Sequence, residues 1–173
     1  MFFETRHFSF AAVLEQNWRR IYEEYLGITS HLIDWHEREL YGEGWKVFGL
    51  FNFPHGEPIL ENIRKCQLTA SLVQQHIPRH GAVGFSILRP RTRIQPHQGY
   101  PGNFLRCHLG LQVPSGDCAL RVNDEIRGWE AGKAIIFDDR MTHDAWNMTD
   151  AERVVLLLDF VPSEPDGSGS AVP

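Results

Sequence analysis

The chain has 173 residues, enough for one domain with a buried core, and its 42% hydrophobic and 23% charged content is that of an ordinary globular protein. A formal charge of −5 argues against nucleic acid as a partner, because phosphate binding needs a concentrated basic surface. No stretch approaches the ~18 apolar residues of a membrane span, and Met1-Phe2-Phe3-Glu4-Thr5-Arg6 carries an early acid and no apolar run, unlike a signal peptide. The expectation is a soluble, cytoplasmic protein with no membrane partner. Cys66, Cys107 and Cys118 include no close pair of the zinc or redox kind, so reduced thiols packed in the core are expected.

In chain order, Val13, Leu14, Trp18, Ile21, Tyr22 and Tyr25 recur at helical spacing, which predicts a helix over Ala11–Leu26 with Gly27 as its stop. Trp45–Phe53 is aromatic and β-prone and reads as a strand. Ile63, Leu68, Leu72 and Val73 return to helical spacing and predict one helix from Glu61 to Ile77, ended by Pro78. After Gly81 the texture changes to short apolar or alternating runs separated by Gly, Pro, Asn and Asp. These predict strands at Ala82–Leu88, Phe104–Val113, Cys118–Val122, Lys133–Phe137 and Arg153–Val161. Strands at that spacing indicate a sandwich or jelly roll rather than alternating β and α units. The domain is expected to span residues 1–161, helical in its first third with a β core over about 81–161, followed by a Gly/Ser/Pro-rich disordered tail at 162–173.

Two of the nine histidines stand out by context. His97 follows Gln95-Pro96 in a turn between strands, and His143 follows the strand Lys133–Phe137 across Asp138–Thr142. Both fall at strand ends, where the mouth of a β-barrel gathers side chains around a pocket. Neutral imidazole is the commonest metal ligand, and two or three can hold Fe(II) with positions left open; histidines near turns are also common on plain surfaces. His31, His36, His55, His76 and His80 lack such context and read as surface or capping residues.

Arg106 and Arg153 are embedded in the apolar runs LRCHLGL and ERVVLLLD. A guanidinium inside a strand either points out to water or pairs with an anion within. His108 alternates with Arg106, so both side chains share one face of their strand. If that face is interior, it is a cationic site beside the metal. Arg89, Arg91 and Arg93 flank His97 and read as a solvated strand or as contacts for an acidic substrate. Trp129 and Trp146 are expected to pack under the barrel rim.

Five segments taken in order, FSILRPRTRIQPHQG from Phe85, NFLRCHLGLQVP from Asn103, CALRVNDEIRGWEAGKAIIFDD from Cys118, THDAW from Thr142 and RVVLLLDF from Arg153, resemble the catalytic domain of the aspartyl/asparaginyl β-hydroxylase family. The joint pattern R-x-H-L-G-L, W-E-x-G-K, F-D-D and H-x-x-W carries the likeness. The resemblance implies a mainly β domain with flanking N-terminal helices (α+β), built as a double-stranded β-helix of the cupin-like jelly-roll kind. It also implies one Fe(II), 2-oxoglutarate as cosubstrate and O2, with hydroxylation of an unactivated carbon. His97 and His143 match the family's iron ligands. Ser86 and Arg153 match the residues on the distal carboxylate of 2-oxoglutarate, and Arg106 and His108 the pair near its chelating end. Where most such oxygenases carry an aspartate ligand two residues after the first histidine, this chain has Gly99. Asp139 matches the position whose carboxylate holds a water in the vacancy.

The implied substrate is the β-carbon of an Asp- or Asn-like residue, as a free, peptidyl or carrier-bound amino acid. Two alternatives stay open: a radical halogenase with chloride in the vacant place, and a non-catalytic cupin-like metal- or ligand-binding barrel. Oligomeric state is not legible.

Overall fold

The computed structural model describes residues 1–162, so the expected tail falls almost wholly outside the described part. Twelve strands and three α-helices run in this order: β1 (Phe2–Phe3), α1 (Ser9–Leu26), β2 (Ile33–Asp34), β3 (Trp45–Asn52), β4 (Glu57–Pro58), α2 (Leu60–Ile63), α3 (Gln67–His76), β5 (His80–Leu88), β6 (Thr92–His97), β7 (Leu105–Gln112), β8 (Cys118–Val122), β9 (Glu125–Gly128), β10 (Ala134–Phe137), β11 (His143–Asn147) and β12 (Arg153–Phe160). Among the described residues they form a major sheet ordered β1-β10-β7-β12-β5-β3-β2, with β4 on the edge of β3, and a minor sheet ordered β6-β11-β8-β9. Every pairing is antiparallel. Two such sheets sharing one interior make the expected double-stranded β-helix.

The alternation of side chains along the major sheet divides the molecule into two cores. Val83, Phe85 and Ile87 of β5, Cys107, Leu109 and Leu111 of β7, and Val154, Leu156 and Leu158 of β12 face the helices. There they meet Phe10, Leu14, Ile21 and Tyr25 of α1 and Ala70 and Val73 of α3. Each large apolar side chain so buried contributes about 1.5–3 kcal/mol. The opposite face belongs to a second cluster that includes Trp45, Leu88, Phe137 and Val155 from the major sheet and Ile94, Leu120, Val122 and Ala145 from the minor one. Ser86, Arg106, His108, Arg153 and Asp159 have the parity of this interior face.

Two sequence expectations change. The helix expected over Glu61–Ile77 is two pieces, and Glu24 of α1 shows why. Its carboxylate accepts hydrogen bonds from the backbone N–H of Leu68 (2.7 Å) and Thr69 (2.9 Å) and from the Thr69 hydroxyl (2.6 Å). That satisfies the free donors at the start of α3 and fixes its beginning after Cys66. The second change is that β6 and β11 are full strands: the sequence put His97 in a turn, read the arginines before it as a solvated strand or substrate contacts, and marked no strand beginning at His143. β6 alternates as strands do, with Thr92 and Ile94 buried and Arg93 and Gln95 exposed, and His97 is its last residue. All three cysteines are free and buried, as expected. No helix among the described residues is long and apolar enough to cross a membrane.

Candidate metal and cosubstrate site

His97 ends β6 and His143 begins β11, and the two strands pair in register at these residues. The rings consequently lie with centroids 4.2 Å apart. Each Nδ1 sits at a backbone carbonyl two residues upstream, 2.8 Å from Gln95 for His97 and 2.9 Å from Met141 for His143. Those contacts hold each ring by Nδ1 and turn Nε2 to the other side, the arrangement that presents imidazole to a metal, and the Asp139 carbonyl also lies against the His143 ring. Burial, and then His97 beside it, lowers the pKa of His143 to about 3, so it is a neutral donor at ordinary pH. Among the described residues no group of three or more His, Cys, Asp or Glu is placed to hold a metal. A metal held here would therefore take two imidazoles from the protein, with other ligands completing its coordination.

Gly99 lies two residues on from His97, and Asp139 accounts for its small size. The Gly99 N–H donates to the Asp139 carbonyl at 2.7 Å, and a Cβ on Gly99 would overlap the Asp139 carboxylate. The acid that chain order removes from position 99 is thus replaced in space by one from the β10–β11 loop. Burial raises the pKa of Asp139 while the Arg106 guanidinium opposes that rise. Arg106 joins this carboxylate to a second one. It is 3.0 Å from Asp139 and binds Asp159 in a bidentate pair at 2.7 and 3.0 Å. Burial works against its charge, but the two acids outweigh that effect and raise its pKa. Arg106 is thus engaged by two protein carboxylates.

Arg153 is in the opposite condition. It is 1% exposed, and among the described residues it is the largest fully buried side chain and no carboxylate pairs with it. One terminal nitrogen donates to the Ser86 carbonyl at 3.1 Å, its guanidinium lies 4.6 Å from the centre of the Trp129 ring, and its Nε has no partner. Burial lowers its pKa to about 10, which still leaves it charged at neutral pH. The Ser86 hydroxyl is held by the Trp45 indole N–H at 3.0 Å. On the neighbouring strand, His108 is buried and its Nε2 is also without a partner. Burial first, then Arg153 and Arg106, holds its pKa well below the ordinary range. Phe137 stands between His108 and His143, with ring centroids 5.2 and 5.6 Å away, and connects the histidine pair to the cationic end.

The structure therefore brings His97, His143, Asp139, Arg106, His108, Ser86 and Arg153 to one interior. It adds Asp159, Phe137 and Trp45, which the sequence did not single out, and Trp129, which the sequence expected only to pack under the barrel rim and which is buried here. Asp159 was within reach of the same reasoning, because it shares the parity of Arg153 along β12. Trp129 lies just beyond β9 in no regular element, and chain order gives no hint that it reaches His108 and Arg153.

Beside this constellation, a cavity of 430 Å³ opens over β3 and β5. Ser86, Arg106 and Asp159 line one part of it, and Val47, Phe51, Phe53 and Ile59 line another. Gly49 and Gly84, paired across β3 and β5, keep its floor clear of side chains. His97, His143, His108 and Arg153 are not among its walls, so the cavity adjoins this cluster of side chains without containing it.

The sequence matches the Aspartyl/Asparaginyl beta-hydroxylase family over residues 15–162, most of the chain. The chain belongs to this family. It is 44% identical over 119 residues to an ornithine lipid ester-linked acyl 2-hydroxylase from Rhizobium tropici, covering 68% of this chain and 41% of that protein. It is 30% identical over 170 residues to the aspartyl/asparaginyl beta-hydroxylase of Mus musculus, covering 90% of this chain and 22% of that protein. The chain thus spans less than half the length of either relative. In fold it is similar to a Pseudomonas putida prolyl-4-hydroxylase, with a TM-score of 0.57 at 13% identity over 86% of this chain and 88% of that one. These likenesses agree with the jelly roll seen here and with the family named from the motifs.

Proposed function

We propose that this chain is an Fe(II)- and 2-oxoglutarate-dependent hydroxylase that inserts oxygen into an unactivated C–H bond and releases succinate and CO2. The observation that carries the reading is Arg153, a buried guanidinium without a protein anion. An uncompensated charge in a protein interior is costly, so its retention calls for an anionic ligand. A carboxylate matches the guanidinium fork, and the Ser86 hydroxyl stands next to it. The unpartnered Nε2 of His108 is a further donor for the same anion, nearer the metal pair. A dicarboxylate that meets Arg153 at one end and reaches His97 and His143 at the other fits this donor set.

When bound, Fe(II) supplies the activation of O2, and 2-oxoglutarate supplies two electrons by oxidative decarboxylation. The chain's own residues hold and shield. His97 and His143 offer their Nε2 atoms to the metal, Arg153 and Ser86 anchor the far carboxylate, and Phe137 keeps water from the space between. Asp139, braced by Arg106 and Asp159, sets a carboxylate beside Gly99. Negative charge there disfavours chloride, which supports hydroxylation over halogenation.

For the substrate, the family name favours an Asp- or Asn-like residue. The cavity favours a different occupant, the acyl chain of a lipid or carrier-bound substrate. Its far part is walled by apolar side chains, and its one cation, Arg106, is already held by two carboxylates, so an acidic substrate would meet no free positive charge. A relative named as an acyl 2-hydroxylase supports the same choice.

The test is succinate formation by the anaerobically prepared protein with Fe(II), 2-oxoglutarate and O2, in the presence of acyl substrates, amino acids or peptides. Succinate stimulated by one class, abolished in His143→Ala and in Arg153→Ala, supports the proposal, and the product mass separates hydroxylation from chlorination. Absence of both succinate and 2-oxoglutarate binding would leave a non-catalytic barrel.

A further inference from the structure

The two unpartnered buried donors, Nε2 of His108 and Nε of Arg153, lie on different strands, β7 and β12, and a single side chain touches both residues. Trp129 is 6% exposed. Its indole N–H donates to Nδ1 of His108 at 3.3 Å, the two rings are inclined by 27° with centroids 6.1 Å apart, and its face lies 4.6 Å from the Arg153 guanidinium carbon. An imidazole whose Nδ1 accepts a hydrogen bond must carry its proton on Nε2 when neutral. The N–H of Trp129 therefore selects the tautomer in which His108 presents a donor, rather than a lone pair, to the interior. The same ring stabilises the guanidinium through its π face. It does so without offering an anion, so the charge of Arg153 stays free for a ligand. Asp or Glu in this place would neutralise Arg153 and compete with any carboxylate that approached it.

We infer that Trp129 is a positioning residue for the cosubstrate, holding His108 as a neutral Nε2–H donor and Arg153 as an unneutralised cation so that both address one bound carboxylate-bearing ligand. The inference rests on the 2-oxoglutarate reading above, and the test separates the two. Binding of 2-oxoglutarate to the Mn(II)-loaded protein is measured by calorimetry for the wild type, Trp129→Phe and Trp129→Leu, with Mn(II) affinity as the control. Trp129→Phe keeps a π face and removes the N–H, whereas Trp129→Leu removes both. The expected result is 2-oxoglutarate affinity reduced about tenfold by the first and more by the second, with Mn(II) affinity unchanged, because loss of one hydrogen bond to an aligned group is worth roughly 1.4 kcal/mol. A wild type that does not bind 2-oxoglutarate defeats the cosubstrate reading itself. A wild type that binds it as tightly as a folded Trp129→Phe defeats only the role of Trp129. The His108 tautomer in the metal-free wild type is an independent readout by 15N NMR, assigned by difference from His108→Gln. An Nε2–H signal is expected, and an Nδ1–H signal would overturn the inference even if the tryptophan variants failed to fold.

Discussion

Arg153 and Gly99 show how a single position can be tuned against stability or against chain order. Among the described residues Arg153 is a buried cation held by one carbonyl and one aromatic face with no carboxylate beside it, so part of its desolvation cost is left uncompensated by the protein. Arg153→Met keeps the volume and removes the charge. The ligand-free variant should therefore be more stable than wild type by about 1–3 kcal/mol in urea unfolding, less what the contact with Trp129 contributes. It should also lose the stabilisation expected of the proposed cosubstrate, 2-oxoglutarate, on the wild type, about 2.7 kcal/mol at a hundredfold excess over Kd. A less stable variant would mean that the charge is satisfied within the protein. At Gly99, adding the aspartate that chain order lacks should not restore a three-ligand site, because its Cβ would overlap Asp139. Gly99→Asp is expected to lower stability and Mn(II) affinity together, and Asp139→Gly in the same chain should recover part of both. Equal Mn(II) affinity in Gly99→Asp and wild type would show that the loop gives way.

Among the elements, β6 and β11 matter most, because their register alone sets His97 opposite His143. They are fastened at Asp144, which is 1% exposed and accepts hydrogen bonds from Arg93 of β6 at 2.6 Å and Arg121 of β8 at 2.7 Å. Both arginines are partly in solvent, which screens the pairs, so Asp144→Ala should cost about 1–3 kcal/mol rather than the full price of a deeply buried ion pair. Amide hydrogen exchange along β6 and β11 should quicken while β5 and β12 keep their protection. Uniform quickening would assign the loss to the whole fold. The same two strands explain what the sequence left unread. β5, β7, β8, β10 and β12 announce themselves through apolar runs, and the motif resemblance placed their side chains. β6 carries Arg93 as its second residue, with Arg91 just before it, and Pro96 near its end, while β11 is five residues with an acid, Asp144, as its second. Their polar groups are satisfied by each other across the sheet, a tertiary compensation that no local pattern expresses. The break before α3 has a similar origin, since its cap comes from Glu24 of another helix.

For the whole molecule, two buried imidazoles link folding to pH. His108 and His143 have pKa values depressed by burial, His143 to about 3, whereas an exposed histidine titrates near ~6.5. The unfolded chain takes up these protons first, so their contribution to stability is complete above pH ~6.5 and is lost as the pH falls. The metal-free protein should lose up to about 1.4 kcal/mol per pH unit for each of the two groups below that point. Urea unfolding at pH 8, 6.5 and 5.5 measures the slope, and a flat profile over the lower interval would show that the rings are hydrated in the fold. The division into two cores has another consequence, for how such a domain diversifies. Along β5, β7 and β12 one set of alternate residues grips the helices and the other faces the interior between the sheets, so heritable change on one set need not disturb the other. Positions such as Val47, Ala82 and Leu157 form a natural mutational library. Selection can reshape what the protein accepts there while the scaffold on the reverse side of the sheet stays as it was.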